Sequence, residues 1–235
     1  MRHLGLGGSY EARRAGPHEL ALAVSELRDG ALHGMNITMP LKVEAARAAG
    51  YLTDEARASG SVNTLRLRNG VVEGHSTDVV AARSVFADPR FGNEAPILIL
   101  GSGGASAAAL VGASGRIVYL AARDPVRAAA LVDLTHSQAS VVRFGSAVVG
   151  ALVVNATPLG MNGESLPEVI IGVASGVVDL AYRDEPTPTV TWAKDSGVPI
   201  VDGVEFLVLQ AASSFEWWTG LEAPFEIMLE TARKL

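Results

Sequence analysis

The stretch "ILILGSGGASAAAL", residues 97–110, constrains this chain most, because no charged residue occurs between Glu94 and Arg116. That length would cross a bilayer. Five glycines and three serines interrupt it, however, and "PILIL" has the length of a short buried strand. A strand, a glycine turn and an alanine-rich helix in that order open a βαβ unit, so the segment predicts a parallel sheet rather than a membrane span.

The sequence that follows keeps the pattern. "RIVYLAA", "ALVVNAT", "GVVDLAY" and "VPIV" alternate with helical segments, which predicts a parallel sheet with helices on both faces. Upstream, "PHELALAVSEL" places Leu20, Val24 and Leu27 at helical spacing. "GMNITM" reads as a strand, Pro40 precedes a helix, and Asn69-Gly70 joins two alternating runs as a tight hairpin. The expected architecture is α/β with two domains: a small α/β domain over 1–80 and a Rossmann-type domain over 81–203. The helical runs of 204–235, "VEFLVLQAASSFEWWTG" and "APFEIMLETARKL", return to the first domain and close a cleft.

Composition narrows the chemistry. Of 235 residues 49% are apolar and 19% charged, which suits a soluble globular protein. A net charge of -6 argues against a nucleic-acid-binding face but leaves room for a local phosphate site. The absence of cysteine excludes disulfides, thiolate nucleophiles and cysteine-bound zinc. His3, His18, His33, His75 and His136 show no metal-ligand spacing, so no metal is expected. The N-terminus lacks a secretory pattern, which makes the cytoplasm the expected location.

Gly101, Gly103 and Gly104 follow a strand and open a helix. Glycine there lets backbone N–H groups approach a pyrophosphate at a helix N-terminus, so the turn of Gly101, Ser102, Gly103, Gly104 and Ala105 is the expected dinucleotide cradle. Ser106 holds the place of a usual third glycine. The next strand ends at Arg123, with Arg127 one helical turn on; arginines there hold the 2′-phosphate of NADP, where an acidic residue would receive the ribose of NAD. Asp124 lies between them and can pair with either arginine or take a ribose hydroxyl.

The chain resembles the shikimate dehydrogenase family through "NITMPLK" at 36–42, "GSVNT" at 60–64, "STD" at 76–78 and "GSGGAS" at 101–106. "NATPLGM" at 155–161, "DLAY" at 179–182 and "DGVEFLVLQA" at 202–211 complete the series, in the family's order and over almost the whole chain. The resemblance implies a substrate domain, an NADP domain and a cleft between them. It assigns Lys42 and Asp78 to the substrate hydroxyl from which a hydride leaves. Oxidising a secondary alcohol removes the hydroxyl proton as the hydride departs, a task for a lysine with a carboxylate to orient it. By the same resemblance Thr38, Asn63, Tyr182 and Gln210 line the polyol pocket, Asn155, Thr157 and Met161 border the nicotinamide half, and Gly203 gives backbone access near that ring.

The expected activity is NADP-dependent interconversion of shikimate and 3-dehydroshikimate. The alternatives are a related cyclic acid, quinate or aminoshikimate, or a non-catalytic NADP-binding relative. The expected partner is therefore a small cyclic hydroxy acid, with no nucleic acid, no membrane, and a monomer or homodimer as the assembly. The family's opening strand, serine loop and helix find no counterpart here. "GSYEARR" corresponds to its second strand, which leaves two readings, a start inside a longer product or a lost carboxylate clamp. Ser76, Val79 and Phe206 replace the family's usual asparagine, glycine and methionine.

Overall fold

The structure is a computed structural model that describes residues 4–234, so His3 lies outside the described residues. Two sheets organise it. The first has the order β1-β3-β4-β2, from Gly34–Asn36 (β1), Tyr51–Leu52 (β2), Thr64–Arg68 (β3) and Val71–His75 (β4). β3 and β4 pair antiparallel, from Thr64↔His75 to Arg68↔Val71, across the Asn69-Gly70 turn. Both turn residues have positive φ, 52° and 76°, as a type I′ hairpin requires. Pro17–Arg28 (α1) and Lys42–Ala48 (α2) cover this sheet, and Leu20, Val24 and Leu27 of α1 are buried in its core with Ile37, Val62 and Leu65. Asp54–Ser59 (α3) follows β2, capped by Thr53.

The second sheet is parallel throughout, in the order β10-β9-β8-β5-β6-β7. Its strands are Ile97–Leu100 (β5), Val118–Ala122 (β6), Ser140–Arg143 (β7), Leu152–Asn155 (β8), Gly176–Asp179 (β9) and Ile200–Val201 (β10). β5, β8 and β9 are buried at every position, as near-continuous apolar strands covered on both faces must be. Gly104–Gly112 (α5), Pro125–Leu134 (α6), Glu168–Ile171 (α7) and Pro188–Asp195 (α8) connect them. The order reverses between β5 and β8, and the crevice beyond their carboxyl ends is where such sheets bind ligands. This is the two-domain, Rossmann-type α/β plan the sequence predicts, with one strand more: β7, short and half exposed at the sheet edge, carries too little apolar pattern to announce itself.

One expectation needs correction. "GSYEARR" forms no strand: residues 6–16 have no regular structure and are largely exposed. With only Tyr10 and Ala12 to bury, the segment lacks the apolar face that would seat it on the sheet; Tyr10 instead donates its hydroxyl to Asn36 Oδ1, 3.0 Å away. The C-terminal segment forms two helices, and Gly203–Thr219 (α9) reaches the first sheet. Its Trp218 indole donates to the Leu65 carbonyl at 3.0 Å, while Phe225–Ala232 (α10) packs on α9.

The two sheets are joined by Thr77–Phe86 (α4) and α5. Small residues let these helices approach: a methyl group on Gly112 would lie 2.8 Å from Ala82 Cβ. Val79 is buried against Ala108 and Val111 beside them. This contact fixes α4, which carries Asp78, against the helix that the glycine loop begins.

Candidate active site

Lys42 opens α2 and Asp78 lies in the first turn of α4. Lys42 Nζ donates to Asp78 Oδ2 at 2.6 Å, and the side chains are 21% and 11% exposed, so the pair sits at the edge of the protein interior with access to solvent. A Cβ placed on Gly104 would lie 4.0 Å from Lys42 Cδ and 3.5 Å from Ser61 Oγ. The lysine stem therefore rests against the glycine loop, and the first sheet's cation meets the turn after β5 of the second sheet.

Beside this pair a polar network links three elements. Asn63 Nδ2 donates to Gln210 Oε1 at 3.0 Å and to Thr77 Oγ1 at 2.9 Å, while Asn63 Oδ1 accepts the Thr77 backbone N–H at 2.8 Å. Asn36 Nδ2 donates to Ser214 Oγ at 2.9 Å and to Thr64 Oγ1 at 3.1 Å. Sequence reading singled out Asn63 and Gln210 and missed Thr77, Ser214 and Asn36. Gln210 and Ser214 stand one helical turn apart on α9, so Ser214 shares the face of a residue already singled out, and that spacing is the signal that could have found it. Arg66 anchors the same helix: it stacks 3.9 Å from the Trp217 ring centre, donates to the Trp217 carbonyl and pairs with Glu73 at 2.7 Å.

At the ends of β5, β8 and β9 several of the residues expected on the cofactor side meet. Gly101 has φ of 113°, and a Cβ there would lie 2.8 Å from the Ala156 carbonyl oxygen. Glycine is thus required for the loop after β5 to touch the loop after β8. Gly103 faces open space. Asn155 is fully buried; its Oδ1 accepts from the Thr157 backbone N–H at 3.1 Å and hydroxyl at 2.6 Å, and its Nδ2 donates to the Leu159 carbonyl at 2.8 Å. The same Nδ2 donates to Asp179 Oδ1 at 2.7 Å. Asp179 also accepts from the Thr187 hydroxyl and the Ala181 N–H. Burial pushes its carboxyl above the usual carboxylate range, against the pull of these donors.

The remaining predicted residues are more dispersed. Met161 and Tyr182 are 44% and 49% exposed on the loops after β8 and β9, and Thr38 is exposed at the turn before Pro40. None of the three side chains hydrogen-bonds another predicted residue among the described residues. Thr38 borders a cavity of about 340 Å³ between residues 9–15, α1 and β1. Gly203 is buried, and its necessity is steric: a Cβ would lie 2.5 Å from the Ala181 carbonyl oxygen and 2.9 Å from Tyr182 Cβ. Arg123 and Arg127 are exposed near the end of β6, and neither forms an ion pair among the described residues. Asp124 Oδ1 accepts from the N–H groups of Val126 and Arg127 at 3.0 and 3.1 Å, so this aspartate caps α6.

Comparison with known proteins bears on the whole arrangement. The family model for the shikimate dehydrogenase substrate binding domain matches residues 1–65, and that for the shikimate 5'-dehydrogenase C-terminal domain matches residues 203–233. The chain is 34% identical to a shikimate dehydrogenase (NADP(+)) of an Exiguobacterium species, over 94% of this chain and 85% of that one. It is 36% identical to the enzyme of that name from Aeropyrum pernix, over 95% and 85%. Among solved structures it is similar to the Thermus thermophilus shikimate 5-dehydrogenase in complex with NADP(H) and shikimate, with 33% identity, TM-score 0.88, and 99% of this chain and 90% of that one covered.

Proposed function

The chain belongs to the shikimate dehydrogenase family, and on that premise we propose that it is an NADP-dependent oxidoreductase interconverting shikimate and 3-dehydroshikimate by hydride transfer. The observation that carries the reading is the Lys42–Asp78 pair, held at 2.6 Å against the glycine loop. Proton chemistry and cofactor cradle are then neighbours.

The residues present fit the cofactor. Gly101 donates its N–H to the Ala121 carbonyl at 2.8 Å and so anchors the turn, while Ser102, Gly103, Gly104 and Ala105 lead into the N-terminus of α5 with no side chain filling the space beside Gly103. NADP supplies the acceptor for the hydride. Arg123 and Arg127, without carboxylate partners among the described residues, supply charge for its 2′-phosphate. Asn155 ties down Thr157 and the loop reaching Met161, which border the nicotinamide half, and Gly203 keeps the neighbouring backbone close.

In the oxidative direction Lys42 takes the hydroxyl proton as the hydride leaves; in the reductive direction it returns a proton to the carbonyl oxygen. Asp78 holds the amine in place through both. Asn63, Gln210, Thr38 and Tyr182 present amide and hydroxyl groups to the ring hydroxyls, and the rigid Asn63–Gln210 bond fixes two of them. On this reading residues 1–80 form the substrate domain, 81–203 the cofactor domain, and 204–235 the helices that bridge them.

The deciding assay supplies NADP with shikimate and, in parallel, with quinate, and follows absorbance of the reduced cofactor. Turnover with shikimate is expected. A protein that binds NADP by calorimetry but turns over neither acid would be a binding relative, and the enzymatic reading would be lost.

A further inference from the structure

Register places Arg143, the last residue of β7, directly beside Ala122, the last residue of β6. Partners in a parallel pair present their side chains to the same face, so Arg143 points to the side of the sheet on which α6 lies. There Ala122, Arg123, Pro125, Val141, Val142 and Arg143 enclose a cavity of about 370 Å³. Arg127, exposed one turn into α6, does not line it.

Two guanidinium groups on the wall of one cavity repel each other unless an anion lies between them. Neither has a carboxylate within ion-pair distance among the described residues, whereas Arg13, Arg57, Arg66, Arg83, Arg90, Arg183 and Arg233 are all paired. Asp124, the nearest acidic residue in sequence, is engaged in capping α6. A planar fork from each side suits a phosphate dianion. The apolar floor of Ala122, Pro125 and Val141 suits a flat heterocycle beside it.

We propose that Arg143 is a specificity-determining residue that, together with Arg123, grips the adenosine 2′-phosphate and so selects NADP over NAD. The inference rests on the NADP reading above and assigns a residue from a different strand to it. Arg143 contributes nothing to the hydride step, and its effect is confined to the phosphorylated nucleotide.

Calorimetric titration of the whole chain with NADP, NAD, 2′,5′-ADP and 5′-AMP tests it. The wild type is expected to prefer 2′,5′-ADP to 5′-AMP. Arg143→Gln is expected to weaken NADP and 2′,5′-ADP by about 10- to 100-fold, the worth of a lost charge-assisted contact, and to leave NAD and 5′-AMP unchanged. Arg143→Lys, which keeps the charge and loses the fork, should fall between. If the wild type binds the two mononucleotides alike, the NADP reading itself fails and the role of Arg143 with it. If the wild type discriminates and Arg143→Gln discriminates equally well, or loses all four ligands in parallel, the NADP reading survives and Arg143 has no part in selection. The residue is exposed, so the melting temperature of both variants should match the wild type and exclude misfolding as the cause.

Discussion

Lys42 Nζ and Asp78 Oδ2 lie 2.6 Å apart although 36 residues separate them in the chain. One opens α2 and the other sits in the first turn of α4, so neither depends on a loop for its position. Rigid elements hold proton-transfer groups to the tolerance that chemistry demands. Because α4 packs on α5, the same contact sets the distance from the pair to the glycine loop.

Lys42→Ala should therefore lower kcat by about 10²- to 10⁴-fold, the usual contribution of a positioned acid/base group. NADP affinity should hardly change, since only the stem of Lys42 touches the cradle. Steady-state kinetics combined with calorimetry separates the two. A variant with near-normal kcat would remove Lys42 from the chemistry.

Asp179 accepts from Asn155, Thr187 and Ala181 at once, and so ties the loops after β8 and β9 to the start of α8. Asp179→Ala strands three buried donors, at about 1–3 kcal/mol for each one left unpaired. Some of that loss is offset, because burial already disfavours the carboxylate, so a net cost of about 1–3 kcal/mol is expected by urea denaturation. The KM for NADP should rise through the displaced Thr157, and Asp179→Asn should recover part of both effects.

How much of this was legible in the sequence depends on range. The strand, glycine turn and helix of 97–112 and the Asn69-Gly70 hairpin are local, and each formed where its pattern placed it. β7 escaped notice because four edge residues show neither burial nor a usable period. "GSYEARR" misled in the other direction, since correspondence to a family strand does not supply the apolar face a strand must bury. Asn63 and Gln210 lie 147 residues apart, and no spacing rule joins them; only the ordered set of motifs did so. Ser214 lies outside those motifs and Thr77 stands inside "STD" beside the residue that drew attention, Asp78; a buried hydroxyl in a helix looks in sequence like any other.

Gly203→Ala would put a methyl group 2.5 Å from the Ala181 carbonyl oxygen. That neighbour is backbone and cannot rotate away, so the 181–182 segment or the start of α9 must shift. A lower melting temperature and a raised KM for the acid are expected, the second because Tyr182 moves with the segment. An unchanged KM for the acid would mean that Tyr182 is not part of the pocket.

His75, three residues before Asp78, provides a pH prediction. Its ring is buried against Trp217, with centroids 5.2 Å apart, and its Nδ1 shares a hydrogen bond with Thr53 Oγ1 at 2.8 Å. Burial pushes its pKa below the ordinary imidazole value; Glu55, 3.8 Å away, pulls it up and Arg66 pushes it down, with burial prevailing. The folded protein thus favours the neutral ring while the unfolded chain takes up a proton near pH 6.5. Between the two pKa values the unfolded state binds more protons, so stability rises with pH across that window. The His75 contribution is fully present above about pH 6.5 and is lost as pH falls toward the lower folded value. Denaturation curves at pH 7.5 and at pH values below 6 should show a decline in the wild type. His75→Gln, which has no such proton to gain, should show a smaller one, and equal declines would mean that His75 is not the titrating group.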